Sequence, residues 1–171
     1  MDALFFMLHL LPFGILIRYN LLGLVDHFDS RGLYRSLFLS IMEGEESLHR
    51  FSPEVRIQEP GIRDAVSLLP PIMLFHGTSD NSIPAASSKE FLETLQRLGA
   101  HAELILFDGK NHTDLFLQDP LRGGKDDLFE HVVAVIHDGD TAALAKDAMA
   151  PPSRRLVPEV LLRLASGISP F

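Results

Sequence analysis

A carboxylate and an imidazole occupy matching places in this sequence. Asp80 lies five residues beyond Phe75, the end of the apolar run Ile72-Met73-Leu74-Phe75, and His112 lies five residues beyond Phe107, the end of the run Ala102–Phe107. An apolar run without alternation fits a strand buried on both faces, as parallel sheets require. In open parallel sheets functional groups gather just past the carboxyl ends of the strands. Neighbouring strands are about 4.8 Å apart, so contact between the two side chains is expected. An aspartate that orients a histidine and stabilises its imidazolium is the supporting half of a hydrolytic triad.

Each residue alone has a plainer reading. Asp80 sits in the turn-forming cluster His76-Gly77-Thr78-Ser79-Asp80-Asn81, where an aspartate ordinarily shapes the loop or caps a helix. A histidine beside Asn111 is ordinarily a solvent-facing loop residue. The joint placement after consecutive buried strands is what singles the pair out, and the order of acid before histidine is the one α/β-hydrolases use. Asp114 is the rival acid, but it shares the loop of His112 and is expected to bond local backbone. A mixed metal site of His76, Asp80 and His112 is conceivable. His76 directly precedes Gly77 at a strand end, where it reads as a packed residue, and the chain has no zinc-binding helix motif. Neither a metal nor a cofactor is expected.

No Gly-x-Ser-x-Gly and no His-Gly-Gly run occurs in the sequence. Gly77-Thr78-Ser79-Asp80 cannot be the nucleophile elbow, because that turn must precede the acid and sit on its own strand. Asp80 and His112 therefore have no nucleophile to assist and no oxyanion pocket beside them in these residues.

The elements that must carry the pair are legible. Pro70-Pro71 opens the first strand. Ser82 is a candidate cap and Pro84 a candidate first-turn residue for a helix running to about Leu98, with Gly99 as its stop and Phe91, Leu92, Leu95 and Leu98 as its buried stripe. After the strand Ala102–Phe107, a helix from about Lys125 to His137 is expected to turn Leu128, Val132, Val135 and Ile136 inward. Strand, helix, strand, helix with short connections makes an α/β fold with parallel strands flanked by helices. Upstream, Leu21, Leu24, Val25 and Phe28, then Leu33, Leu37, Phe38 and Ile41, predict two helices broken at Ser30-Arg31-Gly32. Residues 43–70 read as irregular with a helical turn at 45–50, and the tail as polar until a short helix around Pro158–Ala165. The division expected is an apolar N-terminal segment over 1–18, an α/β unit over 19–138 with possible lid helices at 19–42, and a tail over 139–171.

Composition bounds the rest. The chain has 171 residues, 46% hydrophobic and 22% charged, which is ordinary for one globular domain. Its formal charge of -8 repels phosphate backbones, so a nucleic-acid partner is not expected. With no cysteine, disulfide, thiolate and Cys-type zinc chemistry are excluded. The opening MDALFFMLHLLPFGILI is shorter than the roughly 20 apolar residues of a membrane span, and it lacks the basic start and cleavage signature of a signal peptide. A buried or membrane-surface segment is the first reading, and a membrane anchor or signal the alternative.

Two segments carry a family resemblance. LPPIMLFHGTSDNSIP resembles the esterase pattern His-Gly-x-x-Asp-x-x-hydrophobic-Pro, and FDGKNHTDLFLQDPLRGGKDDLFEH resembles the histidine loop that follows it. Together with LVDHFDSRGLYRSLFLSIMEGEES and APPSRRLVPE, they are similar to the isoprenylcysteine alpha-carbonyl methylesterases of plants, α/β-hydrolases, from about Asn20 to Phe171. The resemblance implies the C-terminal portion of an α/β-hydrolase with an incomplete sheet. It implies a carboxylic ester hydrolase that demethylates the C-terminal prenylcysteine of lipidated proteins in endoplasmic reticulum and Golgi membranes, with Asp80 as acid and His112 as base. The family's serine elbow and oxyanion loop lie upstream of everything present here, and residues 1–18 do not share the likeness. The expectation is a truncated product, inactive alone. Two alternatives remain: a non-catalytic isoform that binds prenylated tails or a full-length partner, and a fragment of another serine esterase or peptidase.

Overall fold

The computed structural model describes Ser40 and residues 53–168. Two single-turn helices, α1 (Pro53–Arg56) and α2 (Pro60–Arg63), and a 3-10 turn at Val66–Leu68 lead into strand β1 (Ile72–Gly77). Helix α3 (Ala85–Arg97) crosses over to strand β2 (Ala102–Phe107). A π-helical turn at Asp114–Gln118 runs into α4 (Asp119–Arg122), followed by α5 (Asp127–Ile136), α6 (Thr141–Ala148) and α7 (Glu159–Ile168). β1 and β2 pair in parallel, in a register from Ile72 opposite Ala102 to Gly77 opposite Phe107. The fold class is α/β, as the alternation of elements implies. The sheet has two strands among the described residues.

Side-chain parity explains why β1 reads as apolar without alternation from Ile72 to Phe75. Ile72 and Leu74, with Ala102, face α3, where Phe91 and Leu95 close a core with Ile57, Val66 and Ala100. Phe75 and Phe107 face the other way, onto Leu115, Leu128 and Val132 of the histidine loop and α5. β1 is therefore covered on both faces, whereas Glu103 and Leu106 of β2 are exposed. His76 has the parity of Leu74 and falls on the α3 side, and it is 5% exposed.

Several local expectations are corrected. β1 continues through His76 to Gly77, so Asp80 is three residues past the strand. Ser82 does not cap α3; Pro84 is its N-cap residue and no side chain caps it. Ser82 stands two residues before that position, and its N–H donates to Asp80 Oδ1. Gly99 stands just past α3 with φ +85, where the missing Cβ removes the strain. Leu128 and Val132 turn inward on α5, but Ile136 is 39% exposed. Residues 141–148, read as polar tail, form α6. Its N-cap is Asp140, whose Oδ1 accepts from Ala142 and Ala143 N–H at 3.1 and 2.9 Å. The tail helix runs to Ile168 rather than Ala165. Within the described part of 43–70, α1, α2 and the 3-10 turn replace irregular chain. The apolar start, the turn at 45–50 and, Ser40 apart, the helices expected over 19–42 lie outside the described residues.

Candidate active site

The loops after β1 and β2 are held together by backbone before any catalytic side chain is considered. Thr78 N–H donates to Phe107 O at 2.9 Å, and Ser79 N–H donates to Lys110 O at 2.9 Å. Thr78 Oγ accepts from Gly109 N–H at 2.8 Å and donates to Asp108 Oδ1 at 3.0 Å. This closeness requires a glycine at 77: a Cβ there would stand 2.1 Å from the carbonyl oxygen of Lys110. The histidine loop is shaped by its own residues. Asn111 Oδ1 accepts from Thr113 and Asp114 N–H at 2.9 and 3.0 Å, and Asp114 Oδ2 accepts from Asn111 N–H at 2.7 Å. Asp114 thus bonds local backbone, as its position suggests. Lys110 Nζ pairs with Asp119 at 2.7 Å, and Arg122 bridges Asp119 to Glu159 of α7, which ties the loop to the elements beneath it.

On this frame Asp80 and His112 meet. His112 Nδ1 lies 2.8 Å from Asp80 Oδ2, with side-chain exposures of 11% and 6%. The other carboxylate oxygen, Oδ1, accepts from Ser82 N–H at 2.8 Å and Ile83 N–H at 2.9 Å. Burial pushes the Asp80 carboxyl toward the neutral form, but the bonds from His112, His76 and Ile83 outweigh it and hold its pKa well below the usual carboxylate range. An ionised carboxylate only accepts hydrogen bonds, so His112 carries its proton on Nδ1. Nε2 is then the nitrogen with a lone pair for base chemistry. Phe75, Gly77, Leu115 and Phe116 line the concavity around the pair.

His76 is the third member of the cluster. Its Nδ1 lies 2.7 Å from Ser88 Oγ, and its Nε2 lies 2.9 Å from Ile83 O and 3.3 Å from Asp80 Oδ2. Both ring nitrogens are thereby engaged by protein. Among the described residues no three such side chains are grouped to hold a metal. The reading of His76 as a packed residue missed this contact with Asp80. Strand parity was the available signal, since it points His76 toward the helix that carries Ser88.

Residues 47–130 match the prolyl oligopeptidase family of peptidases. Over 159 residues, 93% of this chain, the sequence is 65% identical to an isoprenylcysteine alpha-carbonyl methylesterase of Arabidopsis thaliana and covers 37% of it. It is 62% identical over the same span to a probable isoprenylcysteine alpha-carbonyl methylesterase of Oryza sativa subsp. japonica, again covering 37%. Among solved structures, the native esterase 2 of the planctomycete Thermogutta terrifontis matches 80% of this chain and 43% of its own, with 21% identity and a TM-score of 0.46. The chain thus spans less than two fifths of the length of the curated relatives it matches. In sequence, over nearly its whole length, the chain is thus similar to a C-terminal part of the plant isoprenylcysteine alpha-carbonyl methylesterases.

Proposed function

We propose that Asp80 and His112 are the acid and the base of a serine carboxylic ester hydrolase, and that its nucleophile lies in a segment beyond these 171 residues. The observation that carries the reading is the 2.8 Å contact between His112 Nδ1 and a buried, ionised Asp80 at the ends of adjacent parallel strands. In this scheme His112 Nε2 takes the serine proton as the serine oxygen adds to the ester carbonyl. The resulting imidazolium, stabilised by Asp80, then protonates the departing alkoxide as the tetrahedral intermediate collapses. Water, deprotonated by His112, releases the acyl group by the same steps in reverse. The names of the relatives support a prenylcysteine methyl ester as substrate, with methanol as leaving group. The proposed setting is the endoplasmic reticulum and Golgi membrane system. The 171 residues alone carry no Gly-x-Ser-x-Gly, so by themselves they are inactive.

The test is hydrolysis of an isoprenylcysteine methyl ester by the chain alone and by a complete, serine-bearing enzyme. The chain alone shows no turnover and no labelling by a fluorophosphonate. In the complete enzyme Asp80→Asn lowers kcat by about 10⁴-fold, the loss that follows when a triad histidine is left in the wrong tautomer. Wild-type kcat in Asp80→Asn or His112→Ala would remove the hydrolase reading.

A further inference from the structure

Asp80 stands on a loop, yet its carboxylate must hold one orientation if it is to hold His112. Its Oδ1 is fixed by two backbone donors on its own loop, Ser82 and Ile83. Those bonds move with the loop and do not anchor it to the sheet. Among the described residues, the side chain that reaches Asp80 Oδ2 from within a strand is His76, 3.3 Å away and, like that of Asp80, almost fully buried. His76 Nε2 also lies 2.9 Å from Ile83 O, and the Ile83 N–H binds Asp80 Oδ1, so the three residues close a ring of contacts. A carbonyl only accepts, so Nε2 carries the proton and directs it between Ile83 O and Asp80 Oδ2. The neutral ring then accepts at Nδ1 from the Ser88 hydroxyl, 2.7 Å away on the first turn of α3. In the opposite tautomer Nε2 would present a lone pair to two acceptors; the Ser88 hydroxyl can serve either tautomer, so the acceptors at Nε2 set the proton's place and Ser88 steadies the ring.

We propose that His76 is a positioning residue for the Asp80–His112 pair: from strand β1 its Nε2–H, bonded to Ile83 O, faces the loop-borne carboxylate at 3.3 Å, with the ring steadied by Ser88. The proposal rests on the hydrolase reading of that pair. A histidine buried only for packing would fill space equally well as another ring, and this difference is measurable.

The experiment compares His76→Phe, His76→Gln, Ser88→Ala and Asp80→Asn in the complete, serine-bearing enzyme, assayed on an isoprenylcysteine methyl ester with thermal melts alongside. His76→Phe keeps the ring volume and removes the donor; kcat falls by about ten- to a hundredfold, the scale of one hydrogen bond to a charged group, with KM little changed. His76→Gln restores a donor at the place of Nε2 and recovers most of that loss. Ser88→Ala lowers kcat by about threefold or more, because the ring loses the bond that steadies it. Equal losses in His76→Phe and His76→Gln, or a loss confined to KM, would mean that His76 acts by packing and would overturn the proposal. Should His76→Phe fail to fold, an unchanged kcat in Ser88→Ala overturns it. Failure of the underlying reading is separate: there Asp80→Asn itself keeps full kcat, and the role of His76 falls with it.

Discussion

Gly77 is the residue on which the meeting of the two loops most narrowly depends. The carbonyl of Lys110 occupies the space a methyl group would need, 2.1 Å from where a Cβ would be. The obstacle is backbone in a hydrogen-bonded turn, since that same carbonyl accepts from Ser79 N–H, so no flexible side chain can yield. Gly77→Ala must therefore push the histidine loop away from Asp80. We expect a loss of stability of about 2 kcal/mol, of the order found when a tight core is overpacked, and a fall in kcat of the complete enzyme well beyond tenfold. Denaturant melts and initial rates check the two effects separately, and an unaltered kcat would show that the loops tolerate the shift. Asp80 carries a pH signature at the same scale. Its folded-state pKa is depressed below the ordinary 3.8, so its contribution to stability is fully present above that value. The contribution is lost as pH falls below about 4 toward the folded pKa. The stability gap between wild type and Asp80→Asn is accordingly flat from neutral pH to about pH 4 and shrinks below it, as urea midpoints at a series of pH values would record.

At the scale of elements, the stripes read from periodicity are the ones that hold the sheet's helices. Phe91 and Leu95 are each 1% exposed beneath α3, and Phe91→Ala should cost about 3–5 kcal/mol through the cavity it leaves. At the start of α5, Asp126 Oδ1 accepts from Phe129 N–H at 2.9 Å. Asp126→Ala should cost about 1 kcal/mol, the ordinary worth of an N-cap, and a drop in melting temperature measures it. The βαβα order was legible because β1, covered on both faces, leaves an unbroken apolar run, and β2 shows as an apolar stretch interrupted only by Glu103. The meeting of Asp80 and His112 followed from that topology alone, since parallel strands send both loops to one edge. What stayed hidden was where the helix begins. Ser82 has the composition of a cap, but α3 starts only after Pro84, and Ser82 N–H serves Asp80 Oδ1 instead. α6 was passed over although Asp140 precedes an alanine-rich run, because its polar residues masked the capping pattern. His76 was hidden for a third reason: its value lies in two contacts, with Ser88 and Asp80, that only strand parity and the packing of α3 bring together.

At the scale of the whole molecule, the described residues put a full hydrophobic interior on each face of a sheet only two strands wide. Sheets of that width are seldom stable without further strands or close helical cover, and unpaired strand edges invite pairing with other chains. The surface points the same way. Leu117, Phe129, Leu156 and Leu164 are 54%, 62%, 70% and 60% exposed, and apolar side chains this large are usually buried in a self-sufficient domain. The ion pairs of Lys110, Asp119, Arg122 and Glu159 fasten α7 to the histidine loop, but they are partly solvated and offset little of that deficit. We therefore expect the 171-residue chain alone to unfold at low denaturant, to bind a hydrophobic dye and to self-associate as its concentration rises. Joined to the upstream part of a relative, the same residues should melt at a higher temperature with less dye bound, because a third strand beside β1 would satisfy its edge and cover apolar surface. Sedimentation, dye fluorescence and calorimetry on the two proteins decide it. A sharp, reversible melt of a monomeric 171-residue chain above about 65 °C, beyond the ordinary range for mesophile domains, would mean that these residues hold a complete core of their own.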